Sequence, residues 1–324
     1  MTVLDLPANQ PETFYTGAGR IAAFRSAPDL PDRPEDWVAS TTARFDLAPS
    51  GLTTLPDGRV LAEAVAADPQ WWLGPAHVAT YGDNPAILVK LLDAGQRLPL
   101  HVHPDRRFAT SHLASPYGKT EAWVIVSAEP GAYVHLGFRR DVGRDELAGW
   151  VAAQDSEAML AATNKIDIKA GDAVLCPAGL PHAIGPGILL VEIQEPTDFS
   201  VLLEYESFGL PDGHLRLGYD LALECVDRSA WSDGQLAGLR GPAGTTRLLP
   251  EAADEFFTCE RVRGQAELPA GFSVLVVTGG SGTLTGAHDS MSVRPGQTLL
   301  VPWAAGPTTL TGDAEAVRLS AARR

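Results

Sequence analysis

The stretch KAGDAVLCPAGLPHA (169–183) recurs as RPGQTLLVPWAAGPT (294–308), and this repeat constrains the fold more than any other feature of the 324-residue chain. The copies lie 125 residues apart and align Gly171 with Gly296 and Pro177 with Pro302. Upstream, AWVIVSAEPGAYV (122–134) pairs with FSVLVVTGGSGTL (272–284) when Gly131 meets Gly282, an offset of 151. The two offsets differ by 26 residues, about the length of a helical segment inserted in the first copy. Each copy reads as a β-hairpin, a Gly turn, a G-(D/Q)-x-(V/L)-L-x-P turn and a further strand. A duplicated small barrel follows, because closing a sheet on itself removes exposed edges.

The rest of the chain agrees. Short apolar runs such as AILVKLL (86–92), AWVIV (122–126), AYVHLGF (132–138), ILLVEIQ (188–194) and FSVLLEY (199–205) are bounded by Gly, Pro or Asp, the pattern of strands and turns. Leu147, Trp150 and Val151 recur at helical spacing, with Met159 and Leu160 one repeat on, so Asp145–Asn164 is expected to be helical. A further helix is expected around Leu61–Ala67. The expected class is mainly β: a double-barrel cupin, jelly-roll-like, with helical insertions. Residues 1–205 would form an N-terminal segment plus a first barrel with inserted helices at about 140–165. Residues 206–250 would connect it to a degenerate second barrel, 251–324.

Composition excludes several functions. The 40 Asp and Glu against 25 Lys and Arg leave a net charge of −15, opposite to the basic footprint that nucleic-acid phosphates require. No apolar run approaches the ~20 residues of a membrane span. The N-terminus lacks the basic-then-apolar pattern of a secretory signal. Cys176, Cys225 and Cys259 are too scattered for a disulfide framework or a CxxC metal site, and read as reduced, buried thiols. A cytoplasmic protein with a small-molecule partner is expected; the oligomeric state is not legible.

In the first copy, His101-Val102-His103 ends a strand-like run, and alternate residues on a strand share a face, so both imidazoles can converge. Glu121 opens the strand 121–126, and His182 follows the turn at Pro177. Four N/O donors from neighbouring strands suit Zn²⁺, with Fe²⁺, Mn²⁺, Co²⁺ or Ni²⁺ also possible. In the second copy Pro307 aligns with His182 and Phe272 with Glu121, so that copy has lost the ligands. The metal is therefore expected in the first barrel, on His101, His103, Glu121 and His182.

RLPLHVHPD (97–105), YGKTEAWVIV (117–126), AGDAVLCPAGLPHAI (170–184) and VEIQEPTDFSVLLEY (191–205) resemble segments of the type I mannose-6-phosphate isomerases. PEDWVASTT (34–42) and LVKLLDAG (88–95) are similar to family segments too, so the resemblance covers most of the chain. It implies a double-barrel cupin, a zinc site in one barrel and aldose–ketose isomerisation of a sugar or sugar phosphate through a cis-enediol. The family's zinc ligands fall on His103, Glu121 and His182; a fourth, usually Gln, falls on His101. Lys119, near Glu121, and Glu192, on the strand after His182, are the expected catalytic acid–base groups.

Two family positions differ. An Arg that assists proton transfer is here Leu202, and a Ser near the sugar phosphate is here Pro99. Arg106, Arg107, Arg139, Arg140 or Arg216 could compensate, with Arg106 and Arg107 nearest in sequence to the ligand pair. These departures keep two alternatives open: another metal-cupin enzyme, such as an epimerase or oxygenase, and a sugar-binding or regulatory cupin without turnover.

Overall fold

The computed structural model describes residues 2–242, 244–287 and 289–322. Two barrels of the same plan account for most of the strands. In the first, one sheet runs in the order Glu35–Val38, Leu88–Ala94, Ile188–Gln194, Glu121–Ala128, Ala173–Cys176. The facing sheet runs Val201–Leu202, His101–Val102, His182–Ile184, Tyr133–Phe138, Thr163–Asp167. The second barrel repeats this order with Phe257–Arg263, Glu315–Ala321, Ser273–Gly279 and Thr298–Val301 in one sheet. The N-terminal strand Leu4–Asp5 joins that sheet's edge, pairing with Leu299 and Leu300. The chain's first residues thus belong to the second barrel's sheet.

Strand composition explains the layering. All seven residues of Leu88–Ala94 and all seven of Ile188–Gln194 are buried, as in central strands covered on both faces. One core joins both barrels and the N-terminal segment, running from Val89, Trp123 and Val191 to Phe257, Val274 and Leu319. A separate core fills the second barrel, with Leu275, Val277, Leu299 and Ala316 among its members.

The expected helix over Leu61–Ala67 is present with those bounds. Two short helices follow it, Pro69–Leu73 and Pro75–Tyr81. The helical insertion is present as two helices rather than one continuous segment, Arg144–Ala153 and Ser156–Ala162, and strand begins at Thr163. The break falls at Gln154, which is left-handed (φ 49°), while the Asp155 carboxylate accepts from the Ala158 N–H and caps the second helix. Leu147, Val151 and Met159 are buried as their spacing predicts, but Trp150 is only half-buried and lies beneath the Arg140 guanidinium.

Strand pairing refines the repeat. Glu121 pairs with Cys176 and Ser273 pairs with Val301, and Cys176 and Val301 are 125 residues apart. The structural counterpart of Glu121 is therefore Ser273, one residue beyond the Phe272 that direct alignment of the copies selects. The single-residue difference arises in the hairpin turns, whose lengths differ between the copies.

Candidate metal centre

The first barrel brings His101, His103, Glu121 and His182 together. His101 and His182 face each other across an antiparallel pair, and their ring centroids are 4.1 Å apart. His103 lies 4.9 Å from the His101 ring and 4.8 Å from that of His182. The Glu121 Oε2 atom is 3.0 Å from His103 Nε2, and its Oε1 is 3.3 Å from His182 Nε2. All four residues are buried.

Each imidazole is oriented by the main chain. Nδ1 lies 2.8 Å from the Pro99 carbonyl in His101, 2.7 Å from that of Phe199 in His103 and 2.8 Å from that of Leu180 in His182. A carbonyl only accepts, so each Nδ1 carries the proton and each Nε2 turns a lone pair inward. Among the described residues, His182 Nε2 is buried and has no hydrogen-bond partner. Burial, reinforced by the neighbouring imidazoles and Lys119, holds His101 well below the usual histidine range. The same burial and the Lys119 charge bring His103 to about 3. Burial pushes the Glu121 carboxyl up, but Lys119 and His103 together hold it well below the carboxylate range. Three imidazoles with Nδ1 committed to main-chain carbonyls, beside an ionised carboxylate, form a donor set that fits a divalent transition metal.

Cys176 lies in a second grouping with Glu121 and His182. Its thiol is fully buried and pushed well up by that burial, and the Nε2-facing set includes three imidazoles, so Cys176 reads as packing beneath the site.

A cavity of about 410 Å³ opens over His101 and Glu121. Lys119 and Glu192 both line it. Lys119 Nζ is 3.0 Å from His103 Nε2 and 3.1 Å from Glu121 Oε2. Glu192 is paired in register with Lys90 and lies 3.6 Å from its Nζ. Burial first, and then the Glu121 charge, raise the Glu192 carboxyl to about 7.

Several lining residues escape the sequence reading. Lys90 sits between Glu35 (3.4 Å) and Glu192, over the Trp37 ring at 4.6 Å. Tyr15 donates to Glu35, whose other oxygen accepts from Trp37 Nε1 at 2.7 Å. A lysine inside the apolar run LVKLL was the available signal, since a buried charge there has to be paired.

The wall at the altered family positions is apolar. Pro99 and Leu202 both line the cavity, and Gly213 presses so closely on Leu202 that an added Cβ would lie 2.4 Å from the leucine Cβ. Of the candidate compensating arginines, Arg216 alone reaches the cavity; Arg44, from the N-terminal segment, joins it. Arg216 pairs with Asp46 at 2.7 Å. Arg106 turns away to Glu195 and Glu255 and lies over Phe256, Arg140 pairs with Glu146, and Arg107 and Arg139 are exposed. The residues next to the ligand pair in sequence leave it because helix Arg106–His112 starts there, capped by Asp105.

No family model matches the chain. A mannose-6-phosphate isomerase of Streptococcus mutans serotype c is 28% identical over 298 residues, covering 87% of this chain and 89% of that protein. The chain is thus similar to curated mannose-6-phosphate isomerases along most of its length. The ManA mannose-6-phosphate isomerase of Bacillus subtilis is likewise 28% identical, over 247 residues and 73% of the chain. The mannose 6-phosphate isomerase crystal structure from Bacillus subtilis superposes with a TM-score of 0.76 over 98% of this chain at 22% identity. A mannose 6-phosphate isomerase solved with zinc and yttrium bound gives 0.77 over the whole chain at 14% identity. At such identities the likeness establishes the fold, the double-barrel cupin shared with these isomerases. Among the described residues, no helix is long and apolar enough to cross a membrane.

Proposed function

We propose that this chain is a metal-dependent aldose–ketose isomerase that interconverts a hexose, or a hexose phosphate, with its ketose through a cis-enediol. The observation that carries the reading is the set of three clustered imidazoles with Nδ1 committed to main-chain carbonyls, two of them with Nε2 within 3.3 Å of the Glu121 carboxylate, beside a cavity that Lys119 and Glu192 line. The names of the curated relatives support the same chemistry. His101, His103, Glu121 and His182 would hold the ion, zinc before other divalent metals, and the ion would supply Lewis-acid polarisation of the sugar's carbonyl and hydroxyl oxygens.

The chain's own groups account for the proton traffic. Glu192, with its carboxyl near neutrality, accepts the proton from C2 and returns it to C1. Lys119 hydrogen-bonds the two oxygens and passes the hydroxyl proton between them, so the reaction balances without a co-reactant. Lys90 keeps Glu192 oriented, and the buried floor limits water around the intermediate. The apolar Leu202 bears on the alternative reading, a sugar-binding protein without turnover.

Proton exchange decides between them. Incubation in deuterated water with a panel of aldoses and their 6-phosphates should give C2 deuteration, followed by NMR, that a chelator abolishes. Sugar binding without exchange across the whole panel would sink the isomerase reading and leave the binding protein.

A further inference from the structure

Among the described residues the second barrel shows no counterpart of the clustered histidines, yet its interior keeps a polar centre at the same place. Trp123 pairs with Val174 and Glu192, and Glu192 with Lys90. In the second barrel Leu275 pairs with Leu299 and Arg318, and Arg318 with Glu260. The position of Glu192 is thus Arg318 and that of Lys90 is Glu260. The ion pair survives with its charges exchanged, at 3.6 Å in both barrels. Glu260 is about a third exposed while Arg318 is buried, and a barrel needed only for packing gains nothing from burying a guanidinium.

A cavity of about 410 Å³ lies against this centre, between the second barrel and helix Pro75–Tyr81. Arg318 and Ser320 line it together with His77, Tyr81, Phe272 and Trp303. Arg318 is 4% exposed and donates to the Pro269 carbonyl at 2.9 Å. Trp303 is 41% exposed and leans on Gly74, where an added Cβ would lie 2.4 Å from the indole. Glu260 already opposes the arginine charge. Burial lowers His77, against the pull of the hydrogen bond to the Asn84 carbonyl at 2.8 Å. Aromatic walls, a balanced guanidinium and a hydroxyl match an uncharged polyhydroxy ligand better than a free anion.

We infer that this cavity is a second, non-catalytic carbohydrate site, with the Arg318 guanidinium and Ser320 hydroxyl bonding sugar hydroxyls and Trp303 covering an apolar face of the ring. The site is independent of the isomerase reading.

Calorimetric titration of the metal-loaded full chain with free D-mannose and with mannose 6-phosphate tests it. The wild type should bind an equivalent of free mannose that survives His103→Ala, beside a further equivalent lost in that variant where the first barrel takes the same sugar. Trp303→Ala and Arg318→Met should each weaken that surviving equivalent at least tenfold, with the tryptophan fluorescence response lost in Trp303→Ala. Should Arg318→Met fail to fold, Trp303→Ala at its exposed position carries the test alone. A single equivalent that disappears with His103→Ala would overturn the inference, as would a second equivalent indifferent to Trp303→Ala. Binding of mannose 6-phosphate and inorganic phosphate without free mannose would also overturn it, since that is recognition of the anion.

Discussion

Nδ1 of each clustered imidazole is already spent on a main-chain carbonyl, so the residue that decides affinity for the ion is Glu121, the one charged donor. Replacing it with Gln keeps the shape and removes the charge. Changes to groups that merely orient metal ligands cost about 10–100-fold in affinity. Glu121→Gln should therefore lose at least about 100-fold, read by competition with a chromogenic chelator; an unchanged affinity would remove Glu121 from the ligand set. Glu192 makes a pH prediction. Its carboxyl is raised from 4.5 to about 7 in the fold, so between those values the unfolded chain ionises while the folded one keeps its proton. That contribution to stability is then lost as pH rises from about 4.5 to about 7 and is flat above, an effect on the order of 3 kcal/mol, while the depressed His101 and His103 tilt the same window the other way. Urea melts of the metal-stripped protein at a series of pH values should isolate Glu192 as the difference in slope between the wild type and Glu192→Gln, the variant gaining more stability with rising pH. Identical slopes would place the titration elsewhere. The residues legible in the sequence were those with a motif around them. Glu35 and Lys90 lie in such segments and still, like Tyr15, gave no sign of a role, because their shared network exists only once strand Glu35–Val38 pairs with Leu88–Ala94.

At the scale of elements, periodicity revealed the buried faces and missed the joints. The spacing of Leu147, Val151 and Met159 located the inserted helices, but their break depends on tertiary partners. The Gln154 amide donates to the Leu203 carbonyl at 3.0 Å, and its oxygen accepts from the Tyr205 N–H at 2.8 Å, stitching the break to the strand beyond the site. No local sequence pattern carries that contact. The same reasoning explains the one-residue difference at Ser273: strand register is set by cross-strand pairing, whereas sequence alignment counts through turns of unequal length. The insertion packs on its own core with Leu100, Val102 and Val201, directly behind the His101 strand. Leu147→Ala should therefore cost about 2–5 kcal/mol in thermal or chemical melts, the range for a buried leucine. Metal affinity should change by less than about threefold, since Leu147 touches no ligand. A tenfold loss of metal would show that the insertion tunes the site.

The whole molecule is organised by a core that ignores the barrel boundary: Val89, Trp123 and Val191 of the first barrel belong to one cluster with Phe257, Val274 and Leu319 of the second. Such continuity couples the barrels in unfolding, although all four candidate ligands lie in one of them. An ion that binds only the folded chain adds RT ln(1 + [M]/Kd), about 4 kcal/mol at a thousandfold excess over Kd. That stabilisation should be felt by both barrels. Calorimetric scans with and without chelator should thus give one transition in each case, the metal-loaded one several degrees higher, as expected for a few kcal/mol in a chain of this size. Were the barrels independent, chelation would lower only the first barrel's transition and resolve two peaks. Two peaks would mean that the shared core is too weak to make the molecule one cooperative unit, and that the second barrel could be lost without releasing the metal.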